Sequence, residues 1–288
     1  MIEAPRSRWI PALVWIALAA LMAAGLWRGL WTPDEPREAG MGREMLEHPG
    51  FIPLLNGRPF YEKPPLYYWA LAGAFYATGG PSAPAARAVS VLSCLGILLL
   101  TYRGVRRAAG GRAALGSLLI LGTCLGFFRD SQWVLLDPFL ALWTTLALWG
   151  AFECLSGQGR LAWLAMAGGL SLALWTKGLV GVALLAPGWA AMAWFHRKEG
   201  LLRRFRPFAT VAALAAAALA CVGGFYLSGG REALYQFLWV NHVQRLIHPV
   251  GTGHAEPATY YLLALPVALL PWVLLSGRGG RGLRRGSG

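Results

Sequence analysis

The sequence predicts an all-α polytopic membrane protein, and three observations lead to this fold class. Apolar residues make up 56% of the 288 residues, and the mean hydropathy is +0.48. Apolar runs of about 16 to 22 residues recur along the chain, and runs of this length cross, or nearly cross, roughly 30 Å of hydrocarbon as helices. Arginine and lysine are concentrated in every second segment between these runs, which is typical of multi-pass membrane proteins.

The apolar runs predict about eight transmembrane helices, which places both termini on the same side of the membrane. The segment 160–195 is too long for one crossing, so it is predicted to form a tight hairpin with Lys177 at its tip. The predicted spans are residues 9–30, 81–102, 112–128, 135–154, 160–176, 178–195, 207–228 and 258–276.

The charge of the chain predicts its orientation. The segments on the side of the termini carry the whole net charge of +13, whereas acids and bases balance in the segments on the other side. The positive-inside rule therefore places both termini in the cytoplasm. Anionic membrane lipids account for the basic segments, so no nucleic-acid partner is predicted.

Two outer loops, 31–80 and 229–257, hold most of the polar residues of the predicted transmembrane module, which covers residues 1–276. In the first loop, residues 35–48 have helical composition, and the aromatic stretch 66–76 is too short to span. We therefore expect two juxtamembrane helices there. The basic, Gly/Arg-rich tail 277–288 is predicted to be disordered.

Candidate catalytic residues begin in the first outer loop, where residues 31–69 contain six of the 13 carboxylates. Asp34 and Glu35 directly follow an apolar run, where a carboxylate can deprotonate an acceptor, orient it or hold a metal ion. Asp34 as a helix N-cap is the alternative. Lys63, between Glu62 and two prolines, suits a phosphate headgroup, with a snorkelling interfacial lysine as the alternative.

Further charged residues lie on the same predicted side of the membrane. Asp137 and Lys177 lie at the outer ends of predicted spans, where charges usually face a polar cavity. In the second outer loop, Arg245 suits a phosphate, with interfacial packing as the alternative for Arg245 and His242. The histidine spacings match no compact metal-binding pattern, so no metal site is assigned. If a divalent metal binds, Glu62 and His242 are its candidate ligands; the sequence assigns no other cofactor.

The four cysteines fall singly inside predicted spans, with no paired spacing. Neither a disulfide framework nor a zinc–cysteine site is therefore predicted. They are interpreted as small apolar packing residues. They are Cys94, Cys124, Cys154 and Cys221.

The ordered motifs resemble the GT-C superfamily of polyprenyl-phosphate-dependent glycosyltransferases, in its aminoarabinose-transferase and protein O-mannosyltransferase-like branch. The resemblance covers roughly residues 9–275 and is most specific at DEPR and EKPPL. The motifs are Asp34-Glu35-Pro36-Arg37, Glu62-Lys63-Pro64-Pro65-Leu66, Ala86-Arg87, Leu136-Asp137-Pro138, Thr176-Lys177-Gly178 and Asn241-His242 with Gln244-Arg245.

The resemblance implies an enzyme of a bacterial-type inner membrane. It would move a sugar from a polyprenyl-phosphate donor to an acceptor on the outer face, either lipid A or lipopolysaccharide, another glycan, or protein. Asp34 would be the catalytic carboxylate, and Lys63 and Arg245 would bind the donor phosphate. The acceptor and sugar site would be shaped by Glu35, Arg37, Glu62, Asp137, Lys177 and His242.

Two other functions stay open at this point. A transporter would need polar residues near the midplane and inverted repeats, and neither is evident in the sequence. A non-catalytic lipid-binding scaffold is the other alternative, because relatives of this kind usually continue through more membrane helices than this chain contains.

Overall fold

The computed structural model describes residues 9–31, 33–157, 159–195, 204–244, 247 and 258–275, and this part of the chain is mostly helical. One two-residue β-hairpin pairs Leu54–Leu55 (β1) with Arg58–Pro59 (β2) in antiparallel register. The helices are α1 Ile10–Ala23, α2 Asp34–Glu47, α3 Leu66–Ala77, α4 Ala83–Thr123, α5 Leu125–Ser131, α6 Leu136–Leu155, α7 Arg160–Lys177, α8 Leu179–Ala183, α9 Ala186–Phe195, α10 Pro207–Leu234 and α11 Ala258–Ala268.

Helices with the length and composition of membrane spans make this an integral membrane protein. Three stretches qualify in the described part of the chain: α4, α6 and residues 207–244, where α10 continues into a π-helical segment, Tyr235–Gln244. Shorter apolar helices occur at 10–23, 179–192 and 259–268. The prediction of a helical membrane fold is confirmed, and the count of eight crossings stays a prediction.

Helix α4 is a hairpin of two helices rather than one straight rod. Gly110 interrupts it with a φ of 83°, a left-handed conformation that favours glycine. Leu98 and Leu118 lie in one buried cluster with Leu18 of α1. In a straight helix these two leucines would be about 30 Å apart, so the chain must fold back between them. The separate predicted spans 81–102 and 112–128 correspond to these two arms.

The two helices predicted in the first outer loop are present as α2 and α3. They pack on each other and on the ends of α4 and α6 through one buried cluster, which includes Met41, Tyr67 and Phe139. A side chain at Gly42 would meet Leu71 at 2.6 Å, so α2 and α3 approach closely at this glycine. The site described below lies on this layer.

Several predicted boundaries were wrong. Residues 129–131, predicted as loop, are the last turn of α5. Residues 229–244, predicted as loop, are helical: α10 continues to Leu234 with a break at Gly230, and the π-helical segment follows. The apolar run 178–195 is not one regular helix, because α8 ends at Ala183 and α9 begins at Ala186, with a turn between them. Most of 245–257, and the whole of the tail 277–288, lie outside the described residues.

Candidate active site

Asp34 begins α2 without capping it. The N-cap position is Pro33, and no side chain caps the helix. Instead, Asp34 Oδ1 accepts a contact of 3.0 Å from Arg37 Nη2, one turn along the helix, and the Asp34 side chain is 52% exposed. The N-cap alternative for Asp34 is therefore wrong, and a solvent-accessible carboxylate with one cationic partner remains.

Glu38 connects this pair to Lys63. Its Oε1 atom accepts from Arg37 Nη2 at 3.0 Å and from Lys63 Nζ at 3.3 Å, so both cations meet at one oxygen atom. The Glu38 side chain is only 3% exposed. Asp34, Arg37, Glu38 and Lys63 thus form a continuous row of alternating charges, which we call the ion-pair row.

Lys63 is held in this row by its surroundings. Pro64 and Pro65 are buried directly after it, and α3 begins at Leu66. The Lys63 side chain is 19% exposed, and its ammonium group points at Glu38. A snorkelling lysine would extend freely to the interface, so this alternative is wrong for the observed conformation.

Glu35 lies beside Asp34 but is fully buried and ion-paired with Arg87. Arg87 donates to it from Nε at 2.9 Å and from Nη2 at 3.1 Å, and neither side chain is exposed. The backbone N–H groups of Trp31 and Val134 also donate to Glu35, each at 3.0 Å. Burial alone would raise the pKa of Glu35, but these hydrogen bonds and the Arg87 charge lower it overall.

Arg87 also stabilises the segment between α1 and α2, which we call the Arg87 corner together with Glu35. Its guanidinium donates to the backbone carbonyls of Gly25, Leu26, Arg28 and Gly29, which follow the end of α1. One buried cation from the start of α4 therefore fixes both the exit of α1 and the carboxylate at the start of α2. The position of Asp34, the residue before Glu35, depends on this arrangement.

Two buried tyrosines of α3 extend the site beyond Lys63. Burial, followed by the negative charge of Glu38, raises the pKa values of both Tyr67 and Tyr68 well above their ordinary range. Both hydroxyls therefore stay protonated at neutral pH. The Tyr67 hydroxyl and Glu38 Oε2 have no hydrogen-bond partner within the described residues, although both are buried. Such atoms need a partner, which a water molecule or a ligand can supply.

A second charged cluster contains Asp137, Lys177 and His242. Lys177 Nζ donates to Asp137 Oδ1 at 2.6 Å, which joins the end of α7 to the start of α6. His242 Nδ1 lies 2.7 Å from the Phe237 carbonyl, and its Nε2 accepts from the Leu179 N–H at 3.3 Å. These contacts fit the neutral Nδ1–H tautomer.

The two clusters lie near each other. The negative charges of Glu38 and Asp137 both raise the pKa of Tyr67, so both carboxylates lie within electrostatic range of its hydroxyl. Asn241 Nδ2 contacts the Tyr61 carbonyl at 3.4 Å, two residues before Lys63. The fold thus gathers predicted site residues from α2, the segment before α3, α6, α7 and the π-helical segment.

The remaining predicted residues are less well defined. Glu62 is exposed beside Lys63, and Arg245 lies outside the described residues. Both ring nitrogens of His242 are engaged, so it could bind a metal ion only after losing a hydrogen bond. Among the residues that the structure describes, no three His, Cys, Asp or Glu side chains are grouped to hold a metal ion.

A groove of about 680 Å³ lies on the other side of α2 from Lys63. Arg37 and Arg43 line it from α2, and Leu30, Leu55 and Phe75 supply an apolar surface. Arg37 belongs to both the groove and the ion-pair row. Asp34 does not line the groove, but its partner Arg37 does, so Arg37 connects the groove to the Asp34 carboxylate.

Sequence reasoning assigned no role to Glu38, Arg87 or Tyr67. Arg87 had a detectable signal, because a cation at the start of an apolar run usually pairs with a buried acid. Glu38 follows Asp34 by four residues, and such positions share one helix face. Nothing in the sequence pattern distinguished Tyr67 from the neighbouring interfacial aromatic residues.

The fold and the site together define a helical integral membrane protein that carries a row of ion pairs on the segment 34–63, beside its membrane-spanning helices. The family model of dolichyl-phosphate-mannose-protein mannosyltransferases matches residues 6–270. The chain belongs to this family, and the resemblance found in its motifs is confirmed.

Relatives and solved structures agree with this assignment. The undecaprenyl phosphate-α-4-amino-4-deoxy-L-arabinose arabinosyl transferase of Erwinia tasmaniensis is 32% identical over 257 residues, which are 85% of this chain and 45% of that protein. The Pseudomonas aeruginosa (strain UCBPP-PA14) transferase of the same name is 32% identical over 254 residues, with the same coverage. The chain thus spans about half the length of these relatives.

Two solved structures share the fold. The crystal structure of ArnT from Cupriavidus metallidurans bound to undecaprenyl phosphate has a TM-score of 0.80 and 25% identity, and the match covers 96% of this chain and 52% of that one. The Saccharomyces cerevisiae Pmt1–Pmt2 complex bound to the sugar donor has a TM-score of 0.55 and 19% identity, covering 81% and 35%. Because the identity is only 19%, the likeness to the yeast complex is evidence for the fold and not for the function.

Proposed function

We propose that this chain is the catalytic module of a membrane glycosyltransferase that moves a sugar from a polyprenyl-phosphate donor to an anionic, lipid-like acceptor. The observation that carries the proposal is the ion-pair row, which joins an accessible carboxylate, Asp34, to a sheltered cation, Lys63. Family membership and the likeness to a transferase bound to undecaprenyl phosphate support it.

In this proposal Asp34 is the catalytic base. It takes the proton of the acceptor hydroxyl as the hydroxyl oxygen forms a bond to the anomeric carbon of the sugar. The bond from that carbon to the phosphate oxygen breaks, and the lipid phosphate leaves with the electron pair. Arg37 Nη2, which lies 3.0 Å from Asp34 Oδ1, orients the carboxylate.

Lys63 would bind the donor phosphate and stabilise the charge that develops as it leaves. Arg37 meets Lys63 at Glu38, so it is a second cation within reach of the same phosphate. Arg245 is proposed as a further phosphate ligand on the basis of its sequence motif.

The second charged cluster would hold the sugar. Asp137 is 64% exposed and paired with Lys177, so at the rim of the site Lys177 can donate hydrogen bonds to a sugar and Asp137 can accept them. His242 fixes the turn after Lys177 by accepting from Leu179. Glu62 would contact the acceptor or sugar from the Lys63 side. Glu35 would shape the acceptor site indirectly, since both its oxygens are engaged by Arg87.

The groove beside Arg37 is proposed as the acceptor site. Its two arginines suit phosphate or carboxylate groups, and its apolar wall suits acyl chains. With the donor at Lys63 and the acceptor in the groove, Arg37 would connect Asp34 to the acceptor, because Arg37 lines the groove and pairs with Asp34. The lipid A modified by transferases of this kind has this chemistry; a glycan or protein acceptor would need only part of it.

We further propose eight membrane crossings within residues 1–276, with both termini in the cytoplasm and the site on the outer face. The concentration of arginine on the opposite side supports this topology. The chain would then act at the inner membrane of a bacterium.

Native mass spectrometry of the purified 288-residue chain with undecaprenyl phosphate tests the donor site. Wild type should retain the lipid, and Lys63→Ala should lose most of it, because one charge-assisted contact to the phosphate is removed. Arg106→Ala is the matched control, since Arg106 is an exposed cation of α4 remote from α2. Equal retention by wild type and Lys63→Ala would show that Lys63 does not hold the phosphate.

A further inference from the structure

We propose that Glu38 is a positioning residue that holds Lys63 in the empty site and releases it to the donor phosphate. Glu38 would thus be an internal counter-anion that competes with the substrate for the same ammonium group. The inference rests on the proposed function, because it takes Lys63 as a phosphate ligand.

The distances identify the contact that exchanges. Glu38 Oε1 lies 3.0 Å from Arg37 and 3.3 Å from Lys63 Nζ, whereas Asp137 and Lys177 are 2.6 Å apart. Charge-assisted hydrogen bonds from nitrogen are usually about 2.7–2.9 Å long. The Glu38–Lys63 contact is therefore the loosest link of the ion-pair row, and it is the one that a phosphate can replace.

Glu38 can give up Lys63 without becoming an isolated buried charge. Arg37 remains bound to Oε1. The Tyr68 hydroxyl, which is buried without a hydrogen-bond partner within the described residues, lies within electrostatic range of the Glu38 carboxylate. A buried carboxylate with no partner is strongly destabilising, so these two groups lower the free-energy cost of releasing Lys63. In the empty site, the same carboxylate keeps the sheltered ammonium of Lys63 neutralised and in place.

This role predicts an effect opposite in sign to that of a purely structural residue. Loss of structural support would weaken binding of the lipid phosphate. Removal of the competing negative charge of Glu38 should strengthen binding of the lipid phosphate. Lys63 then does not have to break an ion pair before it binds the phosphate.

The test is a titration of Glu38→Gln with undecaprenyl phosphate, using the 288-residue chain in nanodiscs and tryptophan fluorescence. We expect a Kd roughly two- to fivefold lower than that of wild type, as for one exchanged ion pair. Binding of undecaprenol, the uncharged alcohol of the same chain length, should not change. In Glu38→Asp the carboxylate is further from Lys63, so its Kd should lie between those of wild type and Glu38→Gln. This variant replaces Glu38→Gln if Glu38→Gln does not fold.

Two further variants make the outcome specific. Glu47→Gln removes the same charge from α2 at an exposed position away from Lys63, and it should leave the Kd unchanged. In a Lys63→Ala background, Glu38→Gln should no longer tighten binding. If wild type binds the lipid through Lys63 but Glu38→Gln binds it equally or more weakly, the counter-anion role is wrong and the donor site stands. If Lys63→Ala binds as well as wild type, both proposals fail.

Discussion

Asp34 and Glu35 are adjacent carboxylates with opposite environments. The Asp34 side chain is half exposed and has one partner, Arg37. Glu35 is fully buried and accepts from Arg87 and from two backbone N–H groups. A carboxylate that exchanges a proton with a substrate must be accessible to that substrate. A carboxylate that holds helices together must instead be surrounded by rigid hydrogen-bond donors. The structure divides these two requirements between neighbouring residues.

Asp34→Asn should abolish most of the transfer activity while leaving the fold intact. The amide cannot take a proton from the acceptor, so we expect a loss of at least about 100-fold in turnover. The exposed pair with Arg37 contributes less than about 1 kcal/mol to stability, so the melting temperature should hardly change. Sugar transfer in reconstituted vesicles measures the first effect, and a thermal unfolding scan measures the second.

The outcome with undecaprenyl phosphate separates catalysis from binding in this variant. Retention of the lipid should equal that of wild type, because Asp34 does not contact Lys63. A fully active Asp34→Asn variant would exclude Asp34 as the base.

The residues of the site were partly visible in the sequence. Asp34 and Lys63 belong to motifs rich in charged residues and proline beside an apolar run. The structure connects these two residues through Arg37 and Glu38. Glu38 escaped notice because its role depends on Lys63, which is 25 residues away. A contact of this kind follows from how α2 packs on α3, and no local pattern encodes it.

At the scale of elements, Arg87 at the start of α4 joins three segments of the chain. It binds the carbonyls that follow α1, the carboxylate of Glu35 in α2, and through Glu35 the N–H of Val134 before α6. Removing one partner of a buried ion pair costs about 3–5 kcal/mol, since the other charge stays buried. Arg87→Ala should therefore lower the melting temperature strongly, and Arg87→Lys should recover only part of the loss.

The same corner should make stability depend on pH. The pKa of Glu35 is lower in the folded protein than its ordinary value of 4.5. Its contribution is therefore complete above that value and is lost as the pH falls through the folded-state pKa. Thermal unfolding between neutral pH and about pH 3 should show this loss in wild type. Glu35→Gln should be less stable at neutral pH and should lose less on acidification; equal slopes would contradict the assignment.

Helix α2 presents two different sides to the proposed substrates. Arg43 lines the groove, is half exposed, and lies 3.7 Å from Glu47. Arg43→Ala should raise the KM for a phosphorylated lipid acceptor about three- to tenfold, because one exposed charge contact is lost. Retention of undecaprenyl phosphate should not change. A KM that stays constant while donor binding weakens would place the donor in the groove.

At the scale of the whole molecule, the first arm of α4 separates the site from the basic end. Ala83 lines the groove beside α2, and Arg106 lies 23 residues further along the helix. At 1.5 Å per residue, this separation is about 35 Å, slightly more than the hydrocarbon thickness of a bilayer. The acidic site and the arginines therefore lie at opposite ends of a membrane-sized helix.

The proposed topology can be tested with single cysteines. The four native cysteines are buried, so their background labelling should be low. Glu62→Cys should react with a membrane-impermeant maleimide in intact spheroplasts, and Arg106→Cys should react only after permeabilisation. Both side chains are exposed in the structure, so access depends on the side of the membrane. The reverse pattern would invert the proposed orientation.

The helical membrane fold followed from the sequence because hydrocarbon thickness sets the length of apolar runs. Helix ends were less predictable: the π-helical segment 235–244 mixes aromatic and aliphatic residues with polar ones such as Asn241 and His242, and tertiary contacts of these two residues stabilise it. The two helices in the first outer loop were predicted because α2 ends at a Pro-Gly pair and α3 follows two prolines.

The Arg87 corner also has a consequence for how the protein is made. The chain is synthesised from its amino terminus, and Arg87 follows Glu35 by 52 residues. When α1 and α2 leave the ribosome, the carbonyls of residues 25–29 and the carboxylate of Glu35 have not yet met their guanidinium partner. The corner can reach its final form only after the start of α4 has been translated and inserted. Membrane insertion of the first hairpin arm is therefore a step in building the site, and not only in anchoring it.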